Sequence, residues 1–140
     1  AASDVYKRQG MLVLFLLGYL IQGMAEELLY RSYLMVTIAR RYSMTVAVLI
    51  SAVIGALPYA AGAVEAPLAF LNGMLFGIFA ALYLIRRGNI WGIGAFHAAW
   101  SFVRDIVFGT PDQVATVVVL LVGMILVGGK RPWGKAESCC

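Results

Sequence analysis

Five apolar stretches dominate this chain and restrict what it can fold into. They run from about Met11 to Ile38, Met44 to Gly62, Pro67 to Ile85, Ile90 to Phe108 and Val114 to Gly128, with short polar breaks between them. A helix needs about 20 residues to cross a bilayer, a length that the second to fourth stretches match; the first is longer and the fifth slightly shorter. The sequence therefore predicts an all-α, polytopic membrane helix bundle of about five helical segments.

Composition leaves no room for a soluble core beside these segments. Of the 140 residues, 62% are hydrophobic and only 13% are charged, whereas soluble domains average about 25% charged residues. The net charge of +4 does not indicate nucleic acid binding, because the basic residues lie between apolar segments and not on one amphipathic face.

The chain divides into three parts. Residues 1–9, AASDVYKRQ, resemble a translated sequencing adapter and are set aside. Residues 10–129 form the helical domain and residues 130–140 a cytoplasmic tail, and we expect the natural N-terminus to lie upstream, so that the domain is N-terminally truncated. Cys139 and Cys140 are adjacent at the end, which fits either a palmitoylation site or an inert tail.

Basic residues follow every second apolar segment. Arg40 and Arg41 follow the first, Arg86 and Arg87 the third, and Lys130, Arg131 and Lys135 the fifth. The alternate breaks, GAVEA and GTPDQ, contain acids but neither Lys nor Arg. The positive-inside rule makes the basic side cytoplasmic, and we expect a bacterial plasma membrane.

Three charges interrupt the first apolar segment, in the sequence EELLYR. A charge at bilayer depth costs about 2.5–3.5 kcal/mol. Glu27 and Arg31 stand four residues apart on one helical face and can pair. Glu26 points about 100° away, cannot share that partner equally, and is suited to exchange a proton. The alternative is that all three charges only hold helices together.

The only histidine, His97, lies in the fourth segment, with Ser101 one turn later. At 1.5 Å per residue, His97 lies about 10 Å from the cytoplasmic start of its segment at Ile90. Glu26 lies about 20 Å from Arg40, at the cytoplasmic end of the first segment. A first helix that projects into the cytosol would bring the two to one level. The alternative is a packing histidine between Phe96 and Trp100.

Other polar residues of the apolar segments have less specific interpretations. Asn72 either caps a carbonyl or bridges helices. Arg104 and Asp105 approach the far end of the fourth segment, where their side chains can snorkel toward water.

In their order along the chain, these motifs resemble the CPBP family of intramembrane proteases, the CAAX-protease and bacteriocin-processing group. Its first motif, EExxxR, matches Glu26, Glu27 and Arg31. Its third, a histidine followed four positions later by asparagine, matches His97. The stretches ARRYS, VLIS, PLAFLNGMLFG, RRGNIWGIGAFHAAWSF and FGTP are also similar, so that the resemblance covers roughly residues 12–112.

The chain departs from the family pattern at the second and third motifs. Where the family has FxxxH, Gly55 takes the Phe position and Tyr59 the His position, and Pro58 removes a backbone donor beside it. Ser101 stands where the family has Asn. Tyrosine is a poor base at neutral pH, because its reference pKa is about 10.

The resemblance implies roles for six residues. Glu26 would be the general base, Glu27 and Arg31 would orient it, and Tyr59 could hold water beside it. His97 and Ser101 would stabilise the oxyanion. The metalloprotease label of the family implies a divalent metal such as zinc, but zinc needs three protein ligands, and adjacent carboxylates with one histidine converge poorly on one ion. We therefore predict no tightly bound metal and no other cofactor.

Two functions remain open from the sequence. The first is a CAAX-processing endopeptidase, of full or weakened activity, that cleaves peptides or membrane proteins, prenylated or not. The second is a catalytically inactive relative that binds a membrane peptide or confers bacteriocin immunity. A small transporter or proton relay would also use intramembrane carboxylates, but it explains the ordered motifs poorly.

Overall fold

The computed structural model describes residues 2–60, 66–107 and 113–128, and these form helices joined by short turns. The first rod is continuous over α1 (Ala2–Glu27), a π-helix π1 (Leu28–Met35) and α2 (Val36–Ala39). It is followed by α3 (Met44–Ala60) and α4 (Ala66–Arg87). The fourth rod consists of α5 (Ile90–Phe102) and a second π-helix, π2 (Val103–Val107), and α6 (Gln113–Gly128) is the fifth. The predicted all-helical bundle of about five segments is confirmed.

The outer surface of the bundle is apolar. Large hydrophobic side chains such as Leu14, Ile21 and Ile125 are about seven-tenths exposed. Two stretches of the described chain, Tyr6–Ala39 and Pro67–Arg87, are long and apolar enough to cross a membrane, and Met44–Ala60 and Ala115–Gly128 are shorter apolar helices. Soluble monomers seldom expose such continuous apolar surface, so this exterior suits lipid.

The helices pack in two pairs, α1 with α5 and α3 with α4, and α6 lies against α4. One core cluster, built around Phe76, Phe79, Ile93 and Leu120, joins α4, α5 and α6. A second, built around Met35, Ala47, Val48 and Ala81, joins π1, α3 and α4. Together they fix α4 at the centre of the bundle.

The two pairs cross closely because small residues face each other. A Cβ added at Gly23 of α1 would lie 3.0 Å from the Ala98 backbone nitrogen of α5. A Cβ at Gly77 of α4 would lie 2.9 Å from Ala52 Cα of α3. Small residues let membrane helices approach to backbone contact, and the first crossing sets Glu26 and Glu27 against α5.

One end of the bundle, the basic end, carries Arg40 and Arg41 after α2 and Arg86 and Arg87 in the last turn of α4. The end of α2 and the last turn of α4 pack on the second core cluster, through Ile38, Leu84 and Ile85. Arg86 Nη1 donates a hydrogen bond of 2.9 Å to the carbonyl oxygen of Gly128, at the end of α6. The break between α4 and α5 is tight, since Gly88 adopts a φ of +62° and Asn89 caps α5 by accepting from the Gly92 N–H.

Two local features bear on the site. The helix α3 runs through Pro58 to Ala60, so Pro58 removes a backbone donor without ending the helix before Tyr59. The EELLYR motif leads into a π-helix, whose i→i+5 bonding alters the register within the rod. Such π-helical turns are frequent at functional sites.

Candidate active site

Among the residues that the structure describes, Glu27 is the most buried charged residue, and its side chain has no exposed surface. Its Oε1 lies 2.9 Å from His97 Nδ1 on α5, and its Oε2 lies 3.3 Å from Arg31 Nε one turn along its own rod. The predicted pair of Glu27 with Arg31 is therefore present. It is held by charge more than by a directed bond, because Arg31 Nε and Glu27 Oε2 lack an aligned hydrogen bond.

Glu27 and Phe76 fix the orientation of the His97 ring. Glu27 Oε1 and His97 Nδ1 form a hydrogen bond of 2.9 Å, and an ionised carboxylate can take part in it only as the acceptor. The Phe76 ring packs against the imidazole with centroids 4.5 Å apart. The second ring nitrogen, Nε2, is consequently directed at Glu26, with 3.6 Å between Nε2 and Glu26 Oε2.

Glu26 is the accessible carboxylate of the pair, with 30% of its side chain exposed. Its Oε1 accepts a hydrogen bond of 2.9 Å from Gln22 Nε2, one turn earlier on α1. The 3.6 Å between its Oε2 and His97 Nε2 is too long for a good hydrogen bond. One water could contact both atoms across that gap.

A cavity of ≈ 30 Å³ lies beside this gap. About 10–15 Å³ is enough to hold one water. Five of the six predicted site residues line it, and they are Glu26, Arg31, Tyr59, His97 and Ser101. Glu27 lies behind them, where it contacts Arg31 and His97 and not the cavity.

Tyr59 lies in the cavity wall at the position where the family motif has histidine. Its ring lies over Gly73, where a Cβ would come within 2.9 Å of the Tyr59 Cδ2 atom. Its hydroxyl interacts with the Arg104 guanidinium. Gly55, which counting along the motif places at the Phe position, also lines the cavity.

Two polar residues of the site were not singled out as functional from the sequence. Gln22 precedes Glu26 by four residues, a spacing that indicates contact on a helix. Arg104 lines the cavity, with its Nε 2.6 Å from Asp105 Oδ1, and does not simply snorkel outward. The spacing of seven residues between His97 and Arg104 places both on one helical face, and this spacing could have indicated that Arg104 belongs to the site.

The donor set of the site does not fit a zinc ion. Only His97 Nε2 and Glu26 Oε2 face each other across the gap, whereas zinc takes at least three protein ligands. Within the described residues, His, Cys, Asp and Glu form no group of three placed to hold a metal. The guanidinium of Arg31 beside Glu27 adds a positive charge that opposes a cation.

Fold and site together define the class of protein. The chain is a helical membrane bundle in which carboxylates and one imidazole from different helices share a small cavity. Residues 8–103 match the family model described as type II CAAX prenyl endopeptidase Rce1-like. This is more than half of the chain, and the chain belongs to that family of CAAX-type intramembrane proteases.

The resemblance predicted from the motifs is thus confirmed. The family is embedded in membranes and processes peptides there. Comparison with individual curated proteins and with solved structures gave no significant match.

Proposed function

We propose that this chain is an intramembrane endopeptidase of the CAAX-processing type in which Glu26 activates a water. The observation that carries the proposal is the 3.6 Å gap between Glu26 Oε2 and His97 Nε2, which opens on a cavity large enough for water. Glu26 is the base because its carboxylate is partly exposed, whereas Glu27 is fully buried between Arg31 and His97.

The reaction follows from this arrangement. Glu26 takes a proton from the water as the water oxygen attacks the carbonyl carbon of the scissile peptide bond. The C–N bond then breaks, and Glu26 passes the proton to the leaving nitrogen. A positioned general base of this kind contributes about 10²–10⁴-fold.

His97 and Ser101 supply the oxyanion donors in this proposal. As an oxyanion donor, His97 would present Nε2–H to the developing negative charge while its Nδ1 stays bonded to Glu27. Each well-placed oxyanion donor is worth about 10²–10³-fold, and the Ser101 hydroxyl lines the same cavity.

A catalytically inactive member is the second candidate, and Tyr59 is the observation in its favour. A phenol occupies the cavity wall at the position of the second-motif histidine, and phenol is a weak base at neutral pH. Such a protein would bind a membrane peptide, or confer bacteriocin immunity, without cleaving it.

The experiment offers a library of prenylated and unmodified peptides to the full chain in lipid vesicles. We expect cleavage by the unchanged chain and a loss of at least about 10²-fold in Glu26→Gln, which keeps the size of the side chain but cannot accept the proton. Gly18→Ala is the matched control on the same helix, since an added Cβ there meets nothing within 4 Å.

Tyr59→His is the complementary variant, because it restores the family motif in the same wall of the cavity. We expect turnover to rise above that of the unchanged chain. Peptide binding that persists in Glu26→Gln, with no turnover in any variant, would instead support the inactive relative.

The proposal extends to substrate and location. Peptides that reach the bilayer, with or without a prenyl group, are the substrates, and a bacterial plasma membrane is the location. The basic end of the bundle faces the cytoplasm, because cytoplasmic loops carry the excess of Lys and Arg.

A further inference from the structure

One polar residue of α1, Gln22, lies one turn before Glu26 and has no role in the mechanism proposed above. Between Met11 and Ala25, only Tyr19 and Gln22 carry a hydroxyl or amide side chain. Gln22 donates its hydrogen bond to Glu26. An amide in apolar surroundings is costly unless it is hydrogen-bonded. The bond therefore either only satisfies the amide of Gln22 or also serves the carboxylate that accepts it.

The bond from Gln22 occupies one of the two oxygens of Glu26. Gln22 Nε2 donates to Glu26 Oε1 at 2.9 Å, whereas Glu26 Oε2 lies 3.6 Å from His97 Nε2. A glutamate side chain has many accessible rotamers when nothing holds it. Because Gln22 holds Oε1, the other oxygen of the carboxylate is directed at the gap beside His97.

The backbone that carries Gln22 is fixed by the crossing of α1 with α5. Gly23 follows Gln22, and a Cβ added there would lie 3.0 Å from the backbone nitrogen of Ala98. His97 immediately precedes Ala98 on α5. The hydrogen bond to Glu26 therefore starts from a turn of α1 that is packed directly against the turn of α5 carrying His97.

Gln22 contacts the site only through Glu26. Its side chain lies on the exposed surface of α1 and does not line the cavity, whereas Glu26 and His97 do. A hydrogen bond to a charged acceptor is stronger than one between neutral groups, and low dielectric strengthens it further. A neutral amide thus holds the carboxylate without adding a charge to the cavity.

We propose that Gln22 is a positioning residue, which holds Glu26 Oε1 so that Oε2 faces the water-sized gap beside His97. This inference rests on the proposed endopeptidase function, in which Glu26 activates a water in that gap. It follows that Gln22 contributes to turnover and not to the binding of the peptide.

The first test measures kcat and KM of Gln22→Met in lipid vesicles, with the best-cleaved library peptide. Methionine keeps the length of the side chain but cannot donate the hydrogen bond. We expect kcat to fall by about tenfold, below the roughly 10²-fold that a misplacement of about 1 Å can cost, with KM unchanged. The matched control is Ile21→Met, at the adjacent exposed position of α1, and it should leave both constants unchanged. An unchanged kcat in Gln22→Met would overturn the proposal.

A double-variant cycle shows whether Gln22 acts through Glu26. Glu26→Asp shortens the side chain by one methylene and moves the carboxylate out of reach of the amide. Gln22→Met should therefore lower kcat much less in the Glu26→Asp background than in the unchanged chain, because coupled residues give non-additive effects. An equal loss in the two backgrounds would mean that Gln22 acts independently of Glu26, and it would overturn the proposal.

The hydrogen bond can also be followed without turnover. Pairs of infrared spectra with and without Glu26→Gln isolate the carboxyl stretching band of Glu26, whose frequency depends on its hydrogen bonds. We expect this band to shift in Gln22→Met and to keep its position in Ile21→Met. If the band shifts but the unchanged chain cleaves no peptide, the endopeptidase proposal fails and the hold of Gln22 on Glu26 stands. An unshifted band in Gln22→Met overturns the positioning role, whether or not the chain cleaves peptides.

Discussion

At the scale of single residues, Glu26 and Glu27 are neighbours with different environments. Glu26 faces the cavity and is partly exposed, whereas Glu27 is enclosed by Arg31 and His97. The 100° between successive helical positions is enough to separate them. A carboxylate with access to water can take part in proton transfer, whereas a fully enclosed one can only hold its partners in place.

The variant Glu27→Gln tests whether Glu27 stabilises the bundle by holding its buried partners in place. The amide would leave Arg31, which is only 3% exposed, without its negative partner, and breaking a buried ion pair costs about 3–5 kcal/mol. We expect thermal unfolding in detergent at a clearly lower temperature than for the unchanged chain. The double variant Glu27→Gln with Arg31→Met should recover part of the loss, because no charge is then left buried and unpaired. A Glu27→Gln variant as stable as the unchanged chain would contradict this account.

Part of the site follows from local spacing in the sequence. The contact of Glu27 with Arg31 follows from a separation of four residues on one helix, whereas the assignment of Gly55 and Tyr59 to a motif stays a prediction. The contact of Glu27 with His97 could not be derived, because it depends on how two helices 70 residues apart are rotated against each other. The orientation of Arg104 toward the cavity depends on the same rotation.

At the scale of helices, the crossing of α1 with α5 determines the geometry of the site. Gly23 faces the backbone of Ala98 and Gly94, and three residues further on α1 stands Glu26. A pair of helices this close has little tolerance for added volume. The π-helix that follows Glu27 was not visible in the sequence, since the apolar pattern continues through it.

Gly23→Ala tests this crossing. The added Cβ would lie 3.0 Å from the Ala98 nitrogen and 3.2 Å from the Gly94 oxygen. Backbone atoms cannot turn aside as a side chain can, so α1 must move away from α5. We expect lower thermal stability, by about 1–3 kcal/mol as in other overpacked sites, together with slower peptide cleavage. In the control, Gly18→Ala, the added Cβ meets no atom within 4 Å. Equal activity of the two variants would show that this crossing does not set the site.

At the scale of the whole molecule, two of the basic clusters lie together at the basic end of the bundle. Arg40 and Arg41 follow α2, Arg86 and Arg87 close α4, and Arg86 also binds the last carbonyl group of α6. The alternation of basic and acidic breaks predicted this arrangement from the sequence. Which face of the membrane this end meets is a prediction of the positive-inside rule.

The orientation can be measured with a single introduced thiol. Ser43 is exposed in the turn between α2 and α3, at the basic end. In a background with Cys139 and Cys140 changed to serine, we expect Ser43→Cys to resist a membrane-impermeant maleimide in intact bacterial cells. The same thiol should react in inverted vesicles. Labelling of intact cells would reverse the predicted orientation.

The contact of Glu27 with His97 joins residues that are 70 positions apart, and this has a consequence for biosynthesis. Ribosomes release a polytopic chain span by span, so the glutamates enter the bilayer long before the imidazole that completes their pocket. Until the fourth rod docks, the nascent protein carries unpaired charges in lipid and lacks the cavity wall that His97 supplies. The site is therefore completed late in insertion, when most of the bundle is already in place.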